Sequence, residues 1–324
     1  MTTFPAKDKL TICFAHVAYQ MLERFAPRHT GIDAFQVRDR GGLDARIAEA
    51  DVLVVSGLWR NDLLEVAPRL RFIQSIGAGT DQFDRALLTE RSIRLASASG
   101  VNANAVSEHA MALILALARR LPEARDNQAK KFWRGMMGEF DRREDELGGK
   151  TIIIVGIGRI GGRLVKLAKA FDMHVIGIRR DPAAGSNGAD EVFGLDALHS
   201  LLPRADVVAL TCPLTRETEG IIGTAAFAAM KPSAFLVNAA RGRCVDEKAL
   251  ELAMAAYRIA GAGIDVTHDE PLPENSPLWA MENVLLTPHT AGETRRYEDN
   301  VIDILLENVK RLWDGSAQLR NQII

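Results

Sequence analysis

Ionisable residues recur in this chain just beyond short apolar runs. Arg241 follows the run at residues 234–238, Asp265 lies near the end of residues 259–266, and His289 follows residues 284–286. Such runs read as buried strands of a parallel sheet, and the crevice of an open α/β sheet lies at the carboxyl ends of its strands. One histidine after a strand is usually structural. An anion-binding cation, a hydrogen-bond acceptor and an imidazole at three successive strand ends point instead to a chemical site.

A second feature could hold a phosphate. The β-branched run Thr151-Ile152-Ile153-Ile154-Val155 stops at Gly156, and an amphipathic helical pattern follows over Arg159–Ala170. In the sequence Gly156-Ile157-Gly158-Arg159-Ile160-Gly161, each glycine has a mechanical reading. Gly156 permits a tight strand-to-helix turn, Gly158 leaves the backbone open to a pyrophosphate, and Gly161 lets helix and strand pack closely. The helix start at Arg159 and Ile160 offers N–H groups and a partial positive charge to the phosphates. A glycine-rich turn without a ligand is the alternative. The next apolar run, residues 174–178, ends in Arg179-Arg180-Asp181-Pro182, with Arg179 18 residues beyond Gly161. An acidic residue at that strand end suits the ribose hydroxyls of NAD, whereas arginine suits the 2′-phosphate of NADP. Arg179 and Arg180 therefore predict NADP, with NAD possible if Asp181 takes the position.

The remaining elements must place these groups. Residues 10–15, 52–56, 72–76 and 93–96 read as strands, and 44–50, 62–67 and 83–91 as helices. That alternation predicts a doubly wound parallel sheet. After the third strand comes Gly77-Ala78-Gly79-Thr80-Asp81, whose glycines could form a backbone nest for a carboxylate or simply a turn. Residues 102–120 form the longest helical pattern, apolar nearly all round and so buried between domains or subunits. Residues 122–149 are polar and poorly periodic. Further strands are expected at 205–210, before Thr211-Cys212-Pro213-Leu214-Thr215, and at 234–238, before Ala239-Ala240-Arg241-Gly242.

Length and composition narrow the classes. A chain of 324 residues implies two domains. A net charge of −2 with no basic block argues against nucleic acid or an anionic membrane as partner. The longest apolar run, residues 110–118, is too short to span a bilayer, and the first ten residues lack the apolar core of a signal peptide. Cys13, Cys212 and Cys244 show no metal-ligand spacing, so no metal site is expected and a reducing, cytoplasmic setting is. Cys244, three residues past Arg241, reads as a small buried residue or a modifiable thiol near the site.

Seven motifs in order are shared with one family. They are Gly77-Ala78-Gly79-Thr80-Asp81, Val155 to Gly161, Pro213-Leu214-Thr215 with Thr218, Asn238-Ala239-Ala240-Arg241-Gly242, Gly263-Ile264-Asp265-Val266, Asp269-Glu270-Pro271, and Thr287-Pro288-His289-Thr290-Ala291-Gly292. The chain resembles the D-isomer-specific 2-hydroxyacid dehydrogenases. The resemblance implies a Rossmann dinucleotide-binding domain, residues 102–292, inserted into a flavodoxin-like substrate domain, residues 1–101 and 293–324. It implies a homodimer with the long helix in the interface. It implies Arg241, Glu270 and His289 as catalytic residues acting on a 2-oxoacid such as glyoxylate or hydroxypyruvate. Ala78 and Gly79 would share the substrate carboxylate with Arg241. Pro213, Thr218, Ala239 and Asp265 would join the glycine loop in holding the cofactor. Two departures stand out: basic Arg179 matches the NADP-using members, and Tyr257 replaces a helix-ending glycine. Glu270 argues against formate dehydrogenase, where glutamine serves. A corepressor or scaffold on the same fold, and a D-3-phosphoglycerate dehydrogenase, are the competing functions.

Overall fold

A computed structural model describes residues 4–324. It divides into two compact units, one formed by the chain up to Val101 with Thr294–Ile324, the other by Asn102–Glu293.

The first unit is a five-stranded parallel sheet: β1 (Thr11–Ala15), β2 (Asp33–Val37), β3 (Val52–Val55), β4 (Phe72–Ser75) and β5 (Arg94–Ala96). Their order, β2-β1-β3-β4-β5, is that of flavodoxin. Every residue of β3 and β4 is buried, as covering on both faces requires. The edge strand β2 is mostly half-exposed, with only Val37 buried, and its sequence Asp33-Ala34-Phe35-Gln36-Val37 holds no continuous apolar run to announce it. The expected helix at 62–67 is only a 3-10 turn, Asn61–Glu65, and that at 44–50 begins earlier, at Arg40. Asp39 sets that earlier start by accepting the Gly42 N–H at 2.7 Å. The helix Tyr297–Trp313 buries Tyr297, Val301, Ile302, Leu305 and Val309 in the same core as Leu10, Ile12, Phe14, Val52 and Phe72. At 17 residues it outlasts Ala103–Ala118, which has 16, so the longest helix is the C-terminal one.

The second unit is a seven-stranded parallel sheet: β6 (Thr151–Val155), β7 (His174–Ile178), β8 (Glu191–Phe193), β9 (Val207–Leu210), β10 (Phe235–Asn238), β11 (Gly261–Ile264) and β12 (Val284–Leu286). The order β8-β7-β6-β9-β10-β11-β12 is the Rossmann order with one added strand, and chain direction across the sheet reverses between β6 and β9. Register aligns the strand ends: Val155 pairs with Ile178 and Leu210, Leu210 with Asn238, Asn238 with Ile264, and Ile264 with Leu286. The next residue of each strand therefore lies on one edge: Gly156, Arg179, Thr211, Ala239, Asp265 and Thr287.

The helix Ala103–Ala118 lies against β11. Glycines permit the approach: a Cβ on Gly263 would meet the Leu113 Cβ at 2.9 Å. Residues 122–149 are less irregular than their polarity suggests, since Leu121–Ala129 is helical. Beyond it, Phe132, Trp133, Met136 and Phe140 are exposed, Trp133 at 95%. The helix Glu247–Ala255 ends in a full cap despite lacking glycine. Tyr257 takes φ +50°, its N–H bonds Met254 O at 3.1 Å, and Arg258 N–H bonds Ala253 O at 2.8 Å. Among the described residues no helix is long and apolar enough to cross a membrane.

Candidate active site

The glycine loop sorts into two kinds of position. Gly156 has φ +97°, and a Cβ there would meet the Cys212 Cα at 2.6 Å. A Cβ on Gly161 would lie 2.2 Å from Gly156 O and 2.7 Å from Thr211 Oγ1. The chain itself needs both glycines. Gly158 has no atom within 4 Å of its missing Cβ, which leaves open backbone where a pyrophosphate would approach. No side chain caps the helix that begins at Arg159, so none competes for its first N–H groups. These residues fit a dinucleotide. Sequence reading missed two supports. Thr211 Oγ1 donates to Gly156 O at 3.0 Å, and Asn187 Nδ2 donates to Ile157 O at 2.5 Å. Asn187, at φ +51°, clamps the loop from a segment that no motif or periodicity ties to it.

Arg179 emerges from β7 half-buried, with Nη1 donating to Ala184 O at 3.0 Å and Gly185 O at 2.5 Å. Arg180 is exposed. Asp181 is spent locally, accepting the Ala183 N–H at 3.0 Å to cap the turn Pro182–Ala184. Thr218 is also used within its own loop. Its hydroxyl donates to Pro213 O at 2.7 Å and accepts the Thr215 N–H at 2.8 Å. It therefore shapes the segment from Pro213 to Thr218. Ala239 is buried at the end of β10, its N–H on Leu210 O.

Arg241 is exposed on the turn after β10, its carbonyl held by Asn238 Nδ2 at 3.0 Å and its Nη1 on Ala240 O at 2.7 Å. Gly242 brings this turn against the next: a Cβ would fall 2.0 Å from Thr267 O. Cys244 is buried, as the blander expectation had it. A hydrogen bond from the Cys212 thiol, together with the Arg241 main chain, holds the Cys244 thiol below its ordinary range. The same bond and burial push Cys212 up.

Asp265 is 2% exposed at the end of β11. Its Oδ1 accepts the Thr287 hydroxyl at 2.6 Å and the Thr290 N–H at 3.0 Å, and its Oδ2 accepts the Ala291 N–H at 3.1 Å. Its main-chain carbonyl accepts the His289 N–H at 2.8 Å. These bonds hold His289 at φ +54°, a conformation that costs a non-glycine residue about 1–2 kcal/mol. His289 Nδ1 lies 2.7 Å from Glu270 Oε2, and Glu270 Oε1 accepts the Thr267 N–H at 3.2 Å. A carboxylate only accepts, so Nδ1 carries the hydrogen and Nε2 is left for other partners.

In the first unit, Ala78 and Gly79 form an exposed crest after β4. Ser75 Oγ donates to Gly77 O at 3.1 Å, Ala98 N–H to the same oxygen at 3.0 Å, and Tyr297 Oη to Ile76 O at 3.0 Å. No residue from Ile76 to Asp81 has positive φ, so of the two readings, nest or turn, the backbone lacks the left-handed position of an αR-αL nest.

The family model described as D-isomer specific 2-hydroxyacid dehydrogenase, NAD binding domain, matches residues 111–291. This chain belongs to that family. The chain is 38% identical over 83% of its length to D-3-phosphoglycerate dehydrogenase of Methanocaldococcus jannaschii, but spans only 51% of that protein. It is 35% identical to glyoxylate/hydroxypyruvate reductase B of Yersinia pestis over 95% of each chain. A solved NADPH-dependent glyoxylate/hydroxypyruvate reductase of Sinorhizobium meliloti, in complex with NADP and malonate, superposes with TM-score 0.79 at 25% identity over 97% of each chain. The family is one of NAD(P)-dependent oxidoreductases, and its dinucleotide-binding sheet is the second unit described above.

Proposed function

We propose that this dehydrogenase reduces a small 2-oxoacid to the D-2-hydroxyacid and prefers NADPH to NADH. The observation that carries the reading is the His289–Glu270 pair, 2.7 Å apart beside the strand end that bears Asp265. Bound NADPH would supply a hydride to C2. His289 gives a proton from Nε2 as negative charge grows on the carbonyl oxygen. Glu270 orients the ring and stabilises the imidazolium. Arg241 holds the substrate carboxylate and polarises the carbonyl through its fork of donors. Asp265 Oδ2, with one acceptor direction left, is assigned to the nicotinamide carboxamide, and Gly156, Gly158, Arg159, Ile160 and Gly161 to the pyrophosphate. Pro213, Thr218 and Ala239 wall the cofactor cleft.

Arg179 and Arg180 are assigned to the 2′-phosphate. Asp181, the acid that could greet an NAD ribose, is already engaged with Ala183, which favours NADP. The Yersinia relative, matched end to end, supports glyoxylate and hydroxypyruvate as substrates. The phosphoglycerate dehydrogenases support 3-phosphohydroxypyruvate as the second choice. The exposed Leu121, Phe132, Trp133, Met136 and Phe140 support a homodimer, since so many exposed large apolar side chains within twenty residues of sequence are otherwise costly in water. Three buried free thiols fit a cytoplasmic setting.

The test is a panel of 2-oxoacids assayed with both cofactors, with chiral analysis of the products. The reading expects the highest kcat/KM with glyoxylate or hydroxypyruvate and NADPH, and D-glycerate from the latter. Highest kcat/KM on 3-phosphohydroxypyruvate would favour the second choice, and no turnover of any oxoacid would favour a scaffold.

A further inference from the structure

The turn carrying His289 is tied to a residue far away in sequence. His109 lies on the helix Ala103–Ala118, one turn before Leu113, and Leu113 is the residue that Gly263 lets close onto β11. That approach brings His109 Nε2 to 2.9 Å from Thr287 Oγ1 and 3.5 Å from Asp265 Oδ1. Proton bookkeeping then fixes direction. Thr287 has one hydroxyl hydrogen, and the 2.6 Å contact gives it to the Asp265 carboxylate, which can only accept. Thr287 Oγ1 must therefore accept from His109, so His109 carries a hydrogen on Nε2.

We propose that His109 is a positioning residue of the active site, acting through Thr287 and Asp265 on the strained turn that presents His289. The relay runs His109 Nε2–H to Thr287 Oγ1–H to Asp265 Oδ1, and the same Oδ1 accepts Thr290 N–H one residue past His289. Fixing Oδ1 in this way leaves Oδ2 aimed by Ala291 alone, ready for one further donor. The inference rests on the assignment of His289 as proton donor, so the test has one arm that needs turnover and one that does not.

In the first arm, kcat and KM are measured for His109→Leu, His109→Gln, Thr287→Val and the double variant His109→Leu/Thr287→Val. Loss of the His109 donor is expected to lower kcat roughly three- to tenfold while the oxoacid KM changes less. Glutamine, which retains an N–H donor, is expected to recover most of that loss. The double variant is expected to lose no more than Thr287→Val alone. Equal falls in kcat and stability with no glutamine rescue, or additive losses, would overturn the relay. In the second arm, histidine-ring NMR of the whole chain reads the tautomer directly. A slowly exchanging His109 Nε2 proton that disappears in Thr287→Val supports the relay even if the chain reduces no oxoacid. A His109 ring protonated only at Nδ1 overturns it.

Discussion

Alanine at each glycine of the phosphate loop separates what the fold needs from what the cofactor needs. At Gly161 a Cβ would sit 2.2 Å from Gly156 O, a main-chain atom that cannot rotate away. Replacing a helical glycine gains up to about 1 kcal/mol in propensity, and overpacking costs about 1–3 kcal/mol. The clash wins, and Gly161→Ala should lower the melting temperature by roughly 2–6 °C for a unit of this size. At Gly156 the clash at 2.6 Å adds to φ +97°, so Gly156→Ala should lose more stability still. At Gly158 φ is −78° and nothing lies within 4 Å, so Gly158→Ala should keep its melting temperature within about 2 °C. Its new methyl group would occupy the pyrophosphate's approach, weakening NADPH by about tenfold or more, which is about 1.4 kcal/mol. Thermal melts and calorimetric titration of the three variants give both axes. If Gly158→Ala binds NADPH as tightly as the parent, the pyrophosphate does not pass over Gly158; if it melts as low as Gly161→Ala, the fold itself needs that glycine.

Arg241→Lys keeps the charge and loses the fork, so kcat/KM for the oxoacid should fall by about tenfold or more, and near-parental kinetics would exclude a bidentate carboxylate contact. Arg179→Asp should lower the NADPH-over-NADH ratio of kcat/KM by about ten- to a hundredfold. Part of that effect should fade in high salt, and an unchanged ratio would count against the arginine as phosphate ligand. Glu191, on edge strand β8, bonds Arg204 and also His174 at 2.7 Å, and these hold its carboxyl down to about 2 from an ordinary 4.5. The folded value being the lower, this stabilisation is complete above 4.5 and fades as pH falls towards 2. Glu191→Gln should therefore melt slightly below the parent at neutral pH, by under about 1 kcal/mol for a half-exposed pair. The gap should narrow below pH 4.5, and a gap that stayed constant into strong acid would show that the ion pair is not its source.

Local sequence carried much of this site because the Rossmann unit writes its chemistry at strand ends. The apolar runs at β6, β7 and β12 marked their own limits, and the strand register then lines up Gly156, Arg179, Ala239 and Asp265 without further information. Elements that lack a continuous apolar run stayed hidden. β2, at a sheet edge, buries only Val37, and Leu121–Ala129 buries no residue at all within the chain. Residues whose role depends on a tertiary neighbour were equally silent. Nothing near His109 in sequence announces Thr287, which lies 178 positions away, and Asn187 reaches Ile157 only because its loop folds back over the phosphate turn. Tyr257 shows the opposite limit: it stands in place of a helix-ending glycine, yet two main-chain hydrogen bonds complete the cap with tyrosine in the left-handed conformation.

In the proposed mechanism His289 gives the proton and does not hold the cofactor. Asparagine is the suitable replacement, because it tolerates the left-handed backbone at this position better than alanine. The measurement is kcat on the preferred oxoacid at saturating NADPH, beside the dissociation constant for NADPH, in parent and His289→Asn. In His289→Asn kcat should fall by about a hundredfold or more while the dissociation constant stays within about threefold. A collapse of NADPH affinity with near-parental turnover of the bound complex would contradict it.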